Sequence, residues 1–441
     1  MLPVIVIIGR PNVGKSTLFN YLTKTRDALV VDMPGVTRDR QYGEGRVGDR
    51  DYIIVDTGGI AEPDDPEMSA MTDEQVDQAM SEADRLLFMV DAKDGLTAAD
   101  QSIANRMRRE YRDKVTLLVN KIDRNDEVIA CSEFYELGLG EPEGITATQG
   151  RGIQDMIQTV LNDLPKIERP DRDAEAGVKV TIVGRPNVGK STLVNRILGE
   201  DRVVVLDRPG TTRDSIEIPF ERDGTRYTLV DTAGVRRKAK VKNAIEKFSM
   251  IKTMQAIEAS DVVVVVLNAH EGVLDQDLRL ISIAAEHGKA LVITMNKWDG
   301  MEDYDREQFK SDFDKKVNFV DYARRYFISA LHGTGVGKLY HAVDEAYEST
   351  TREISTAMVT KALDEAQRVH QPPLVKGRRV KLRYAHIGSH NPLIIVIHGK
   401  QTAALPGSYQ KFLSNFMRKR FNLVGVPVII KLKSDENPYK S

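Results

Sequence analysis

The chain reads as an α/β protein built from two tandem, doubly wound units with mostly parallel sheets, followed by a small α+β tail. Three observations predict this. The octapeptide Gly-Arg-Pro-Asn-Val-Gly-Lys-Ser occurs twice, at Gly9–Ser16 and at Gly184–Ser191. Each copy fits G-x-x-x-x-G-K-[ST] and follows a short apolar run, Val4–Ile8 or Val178–Val183, the strand–loop–helix setting of a phosphate-binding loop. From Thr351 onward the chain carries 16 Lys/Arg against 5 Asp/Glu, a balance of +11 within a total of −2, which leaves −13 on the first 350 residues. Such a split joins an acidic engine to a basic contact module, whose usual target is nucleic acid or an anionic surface. The plainer alternative is a solvated basic face.

The first unit, residues 1–165, is predicted to alternate strands at Val4–Ile8, Tyr52–Val55, Leu86–Val90 and Val115–Val119 with helices such as Ala98–Tyr111 and Gly152–Leu161. Its motifs sit just after strands, as ligand sites do at the carboxyl edge of an open parallel sheet. Residues 166–177 are polar, contain proline and lack apolar period, so they read as a linker. The second unit, 178–350, repeats the order with strands at Val178–Val183, Tyr227–Val230, Val262–Leu267, Ala290–Met295 and Tyr326–Ile328. The tail, 351–441, opens with an amphipathic helix at Thr356–Val369, stopped by Pro372-Pro373. Strands Arg378–Tyr384 and Leu393–His398, a basic helix Tyr409–Phe421 and a strand Val426–Leu432 follow.

In each phosphate loop the glycines let backbone N–H groups turn inward around a polyphosphate, and the helix behind presents its N-terminus. The residues are Gly9, Arg10, Pro11, Asn12, Val13, Gly14, Lys15, Ser16 and Thr17 in the first copy. In the second they are Gly184, Arg185, Pro186, Asn187, Val188, Gly189, Lys190, Ser191 and Thr192. Lys15 and Lys190 supply a cation for the outer phosphates, and Ser16 and Ser191 a hydroxyl for Mg²⁺. Asp56-Thr57-Gly58-Gly59 and Asp231-Thr232-Ala233-Gly234 each begin 47 residues after the loop's first glycine, and Pro-Gly-[Val/Thr]-Thr-Arg-Asp segments at Pro34 and Pro209 lie between.

Asn120-Lys121-Ile122-Asp123 and Asn296-Lys297-Trp298-Asp299 end apolar strands. An N-K-x-D aspartate can accept from both N1–H and the exocyclic amine of guanine, whereas adenine offers no donor there. A lone N-K-x-D reads equally well as a polar loop; four ordered motifs, repeated at near-constant spacing, read as two guanine-nucleotide sites. Thr146-Ala147 and Ser329-Ala330 align as the segments supporting the base, anchored by Gly150-Arg151-Gly152 and Gly333-Thr334-Gly335.

Other classes recede on composition. With 441 residues, 41% hydrophobic and 29% charged, the chain is long enough for about three domains of ~150 residues. Cys131 is the only cysteine, which excludes a disulfide framework and a cysteine zinc site, and the reducing cytoplasm is the expected compartment. The N-terminal apolar run is of strand length and lacks a basic flank, so a signal peptide is not expected. Val262–Leu267 is too short to span a bilayer.

The tandem GRPNVGKST loops, the P-G-[VT]-T-R-D segments, DTGG and DTAG, NKID and NKWD, and the basic tail resemble the bacterial double-GTPase family EngA, also called Der. The resemblance covers essentially the whole chain. It implies two P-loop GTPase domains with GTP/GDP and Mg²⁺ in each, and a KH-like C-terminal domain. It also implies GTP hydrolysis in assembly of the large ribosomal subunit, with rRNA as partner. No membrane or DNA partner and a monomeric state are expected. The tail has no G-x-x-G loop, the clamp by which ordinary KH modules hold RNA, and the family's variant lacks it too; docking by shape and charge is favoured.

By the same resemblance, Ser16 with Thr37, and Ser191 with Thr212, ligate Mg²⁺, with Asp56 and Asp231 holding a metal-bound water. The Gly59 and Gly234 N–H groups sense the γ-phosphate. Ile60 and Val235 stand where many GTPases carry a water-orienting glutamine, so slow turnover is expected. Asn12 and Asn187 match an asparagine that in related proteins helps hold K⁺; the alternative is that each caps its loop. Arg236–Lys242, directly after the second DTAGV, reads either as a solvated loop or as an RNA-facing surface. Two rivals remain: a GTPase of tRNA modification or membranes, which expects a single GTPase unit, and a non-enzymatic reading in which one unit only binds GTP and serves as a structural sensor.

Overall fold

A computed structural model gives the architecture; residues 2–23, 42–48, 50–59, 76–122, 127–164, 177–200, 203–205, 217–230, 250–375 and 378–434 are described. The chain forms two compact units, each treated separately below.

The first unit comprises β1 (Val4–Ile8), α1 (Lys15–Thr23), β2 (Tyr42–Val47), β3 (Arg50–Asp56), α2 (76–82), β4 (Arg85–Asp91), α3 (Ala98–Glu110), β5 (Val115–Asn120), α4 (Glu127–Ser132), β6 (Glu143–Gly144) and α5 (Ile153–Asn162). Its sheet runs β2-β3-β1-β4-β5-β6. β1 is apolar at every position because it is covered on both faces and lies between β3 and β4, parallel to both. Among the described strands of this sheet, β2 alone runs antiparallel, on the β3 edge. The order reverses at β1, so the loop leaving its carboxyl end opens into the crevice where such sheets bind ligands.

The second unit repeats the plan with β7 (Val178–Val183), α6 (Lys190–Leu198), β8 (Val203–Val205), β9 (Ile218–Arg222), β10 (Thr225–Val230), α7 (Met250–Ala259), β11 (Val262–Asn268), α8 (Asp275–Glu286), β12 (Ala290–Asn296), α9 (Asp303–Lys316), β13 (Arg324–Phe327) and α10 (Gly337–Thr351). The strand order is β13-β12-β11-β7-β10-β9-β8. The valine run of β11 is buried throughout and parallel to β7 and β12.

The tail adds α11 (Thr356–Val369), the short pair β14 (Leu374–Val375) and β15 (Arg378–Arg379), β16 (Lys381–His390), β17 (Leu393–Lys400), α12 (Gly407–Arg420) and β18 (Ile429–Ser434). β16 and β17 are antiparallel and β17 and β18 parallel. The strand expected at Arg378–Tyr384 divides in two, and its second part runs on to His390. Register shifts between Leu382 and Tyr384 and between Ile387 and Ser389 break the alternation by which a strand is read from sequence. The last strand begins three residues later than expected, because Val424-Gly425 docks on the second unit instead. Leu291 N–H donates to Gly425 O at 2.7 Å, Gly425 N–H to Tyr322 O at 3.0 Å and Val424 N–H to Ser349 Oγ at 3.1 Å.

One apolar core runs from Val178, Val262 and Val292 through Leu339, Ala342 and Ala346 to Leu363, Leu413, Val426 and Val428. Arg352 donates to Phe421 O at 2.6 Å, Asn391 Nδ2 to Asp261 Oδ1 at 2.9 Å, and Arg418 pairs with Asp321 at 3.1 Å. The tail thus has its own sheet but shares its core with the second unit. No helix among the described residues is long and apolar enough to cross a membrane.

Gly425 has φ +71°, and a Cβ there would lie 3.0 Å from Ala346 Cβ and 3.2 Å from Leu291 O. Gly425→Ala is therefore expected to destabilise the second unit by about 1–2 kcal/mol from its left-handed backbone alone. Urea unfolding followed through Trp298, the only tryptophan, reads this unit directly. An unchanged Trp298 transition would mean that the tail unfolds independently.

Candidate functional site

Both phosphate loops leave the central strand of their sheet and hold their lysine in the same way. Lys15 Nζ donates to Gly9 O and Arg10 O, both at 2.8 Å, and Lys190 Nζ donates to Arg185 O at 2.8 Å. Lys15 is buried, so its charge needs such dipoles. Asn12 and Asn187 adopt left-handed φ values of 66° and 63°. Asparagine tolerates that region better than most side chains, so each Asn has a conformational reason to stand there. Val13 and Val188 are fully buried beneath the loops.

A hard-oxygen cluster adjoins the first loop. Ser16 Oγ donates to Asp56 Oδ2 at 2.6 Å, and the Gly58 N–H donates to Asp56 Oδ1 at 2.8 Å. Thr57 Oγ1 is tied to Ile7 O at 2.7 Å, which fixes the short 3₁₀ turn Thr57–Gly59 against β1. A hydroxyl and a carboxylate brought together beside a phosphate loop form a donor set that fits Mg²⁺. Thr37, Ile60 and Asp123 of the first site lie outside the described residues. So do Thr212, Asp231, Thr232, Ala233, Gly234, Val235 and Arg236–Lys242 of the second.

The N-K-x-D segment is stapled to the phosphate loop by its asparagine. Asn120 Nδ2 donates to Val13 O at 2.7 Å while its Oδ1 accepts from the Ala147 N–H at 3.0 Å. Asn296 bridges Val188 O and the Ala330 N–H at 2.8 and 2.9 Å. Both amides are thus engaged within the protein, and each ties the Ala147 or Ala330 segment to the phosphate loop. Lys121 Nζ donates to Asn12 O at 2.9 Å and pairs with buried Asp91 at 2.5 Å; Lys297 Nζ donates to Asn187 O at 3.0 Å.

Asp299 lies open, its carboxyl held below the usual range chiefly by a hydrogen bond from Ser329, and His332 Nε2 lies 3.2 Å from Oδ2. Its charged form is therefore favoured. Thr146, where the second unit has Ser329, turns its hydroxyl to Ile122 O at 3.0 Å instead. Trp298 packs on Phe327 with ring centres 4.1 Å apart.

A cavity of about 990 Å³ opens over the first loop, lined by Gly9, Pro11, Asn12, Gly14, Lys15, Ser16, Thr17, Thr57 and Gly58, with Met80, Ile103 and Arg106 across it. Its size suits a nucleotide. Sequence reasoning missed Asp91, Asp100 and Asp277, all buried beside the loops. Their signal was present: Asp91–Asp100 (DAKDGLTAAD) and Asn268–Asp277 (NAHEGVLDQD) share one pattern at the ends of matching strands.

Comparison with known proteins agrees with this geometry. Residues 4–121 and 179–297 match the family described as 50S ribosome-binding GTPase, and residues 353–433 match the KH-domain-like C-terminal domain of EngA bacterial GTPase enzymes. The chain is similar to GTPase Der of Coxiella burnetii, 56% identical over 440 residues, covering 100% of this chain and 99% of that one. GTPase Der of Thioalkalivibrio sulfidiphilus is 55% identical over 441 residues, covering 100% and 95%. GTPase Der of Acinetobacter baumannii is 53% identical over 441 residues, covering 100% and 94%. With two phosphate loops, two stapled N-K-x-D segments and a KH-like tail in one chain, the protein belongs to the EngA (Der) family of GTPases.

Proposed function

We propose that this GTPase acts in biogenesis of the large (50S) ribosomal subunit, associating with the subunit and its rRNA in the GTP state and leaving in the GDP state. The observation that carries the reading is the +11 tail sharing one core with a GTP-binding unit. Nucleotide exchange in that unit acts on tail and unit as one body. A ligand shifts such an equilibrium only through differential affinity for the two states, so subunits must in turn favour GTP over GDP.

In each unit the lysine, Lys15 or Lys190, leaves its loop carbonyls for the β- and γ-phosphate oxygens. Ser16 and Thr37, and Ser191 and Thr212, would hold Mg²⁺, with Asp56 and Asp231 beside them, and the ion would supply positive charge against the phosphates. The Gly59 and Gly234 N–H groups meet the γ-phosphate. Asp123 and Asp299 read guanine, and the two asparagine staples keep that aspartate in register with the phosphates. Ile60 and Val235 cannot hydrogen-bond a water, so intrinsic turnover is slow. K⁺ beside Asn12 and Asn187 would supply charge stabilisation in place of an arginine finger.

Asp123→Asn with Asp299→Asn should move specificity from guanine to xanthine nucleotides, whose C2 oxo group accepts from the new amide; competition binding with GTP and XTP checks it, and intact GTP preference would refute the assignment. GTP hydrolysis should rise when K⁺ replaces Na⁺ at equal ionic strength. Asn12→Gly with Asn187→Gly, which keeps the left-handed turn but removes the amide, should abolish that rise while leaving GDP binding intact. If the glycine variants still respond to K⁺, the asparagines serve the turn alone.

Subunit binding is best tested by point substitution, because deleting the tail would uncover the shared core. Lys411→Glu with Lys419→Glu, both exposed on α12, should weaken co-sedimentation with 50S subunits in a non-hydrolysable GTP analogue and flatten its salt dependence. Binding that is equal in GDP, or indifferent to salt, would count against the reading.

A further inference from the structure

Each phosphate loop contains an arginine whose side chain plays no part in the chemistry above. In the first unit Arg10 Nη2 donates to Asp94 Oδ2 at 2.7 Å, and its Nε lies 3.4 Å from Asp100 Oδ2. In the second unit Arg185 Nη2 lies 2.8 Å from Glu271 Oε2, and its Nε donates to Asp277 Oδ1 at 2.9 Å. Each arginine thus meets one exposed and one buried carboxylate from matching places, with its side-chain hydrogen bond going to the exposed Asp94 in the first unit and to the buried Asp277 in the second. In each pair of carboxylates one is about half exposed (Asp94 54%, Glu271 45%) and the other is wholly buried (Asp100 and Asp277, both 0%).

That difference in burial ranks them. An exposed ion pair contributes little. Removing one partner of a buried pair leaves the other charge uncompensated in a low-dielectric site. Burial works against the charge on each guanidinium, yet the carboxylates raise the pKa of both Arg10 and Arg185. Burial pushes the Asp277 carboxyl upward, so Arg185 offsets the desolvation of its partner without abolishing it.

Each buried aspartate has a second task. Asp100 Oδ2 accepts from Thr97 N–H at 3.2 Å and from Thr97 Oγ1 at 2.6 Å, fixing the start of α3; Asp277 Oδ2 accepts from Leu274 N–H at 3.0 Å, fixing the start of α8. Each arginine does too: its backbone carbonyl accepts the phosphate-loop lysine, at 2.8 Å in both units. Side chain and carbonyl of one residue therefore tie helix, loop and lysine into a single chain of contacts.

We infer that Arg10 with Asp100, and Arg185 with Asp277, are positioning pairs for the phosphate loop: the buried carboxylate sets where the loop's lysine and N–H groups meet phosphate, and so sets nucleotide affinity in each unit. This rests on the reading that the loops hold GTP and GDP phosphates. The exposed Asp94 and Glu271 contribute little to it.

The test uses the full chain with its second site silenced by Lys190→Ala, titrated with a fluorescent GDP analogue. Asp100→Asn keeps an acceptor for the Thr97 N–H and removes only the charge. It and Arg10→Met should each weaken GDP binding about tenfold, since misplacing binding groups by a fraction of an ångström is enough. The double variant should be no weaker than the weaker single. Asp94→Asn, and Thr97→Ala, which loosens the helix cap, should leave affinity near that of the parent. Arg10→Lys, mild enough to preserve folding, should fall between parent and Arg10→Met. Parent affinity in Asp100→Asn or in Arg10→Lys, additive losses in the double variant, or equal losses in Asp100→Asn and Thr97→Ala would each overturn the proposal. Lys15→Ala is the separate control: unchanged GDP affinity there would overturn the phosphate role of the loop itself.

Discussion

The asparagine of each N-K-x-D segment is the contact on which both nucleotide sites depend. One amide reaches a phosphate-loop carbonyl on one side and, on the other, the N–H of the alanine in the segment after β6 or β13. The phosphate loop and the N-K-x-D segment leave separate strands, which the sheet would otherwise have to hold in register alone. A buried amide with both polar atoms satisfied is rigid and specific, while a half-satisfied one would be destabilising. Gly14 and Gly189 belong to the same constraint: a Cβ at either position would collide with the asparagine amide, so the loop approaches the staple only because it has no side chain there.

The duplicated sites were legible because their chemistry is local. Gly-Arg-Pro-Asn-Val-Gly-Lys-Ser needs its residues in one order along a few positions, and a strand before it is visible as an apolar run. The roles inside the motif were less legible. Asn120 and Asn296 stand in a linear motif, and only the folded loops show the bridge that each makes. Thr146 and Ser329 occupy equivalent positions, yet one hydroxyl turns to a backbone carbonyl and the other to Asp299, a difference no pattern distinguishes.

The tail shows the opposite limit. Its helix at Thr356–Val369 emerges exactly where amphipathic spacing places it, because a single face must meet a single sheet. Its attachment to the second unit has no periodic signature. Gly425 bonding to Leu291 and Tyr322 joins residues more than a hundred positions apart, and the valines around it read from sequence as the start of a strand. Long-range docking consumes the same apolar residues that a strand would, so composition alone cannot separate the two.

The shared core also orders the steps of synthesis. Among the described residues, one apolar core of the first unit lies wholly between Ile5 and Leu161, so it can close once that stretch has been made. The second unit cannot: Val178 and Val262 belong to a core that includes Val426 and Val428. Its apolar face stays uncovered until nearly the last described strand has been translated. Growing chains fold domain by domain from the N-terminus, and exposed apolar surface in a waiting intermediate invites misassembly. The interval between those two closures is therefore the period in which this chain leaves the most apolar surface uncovered.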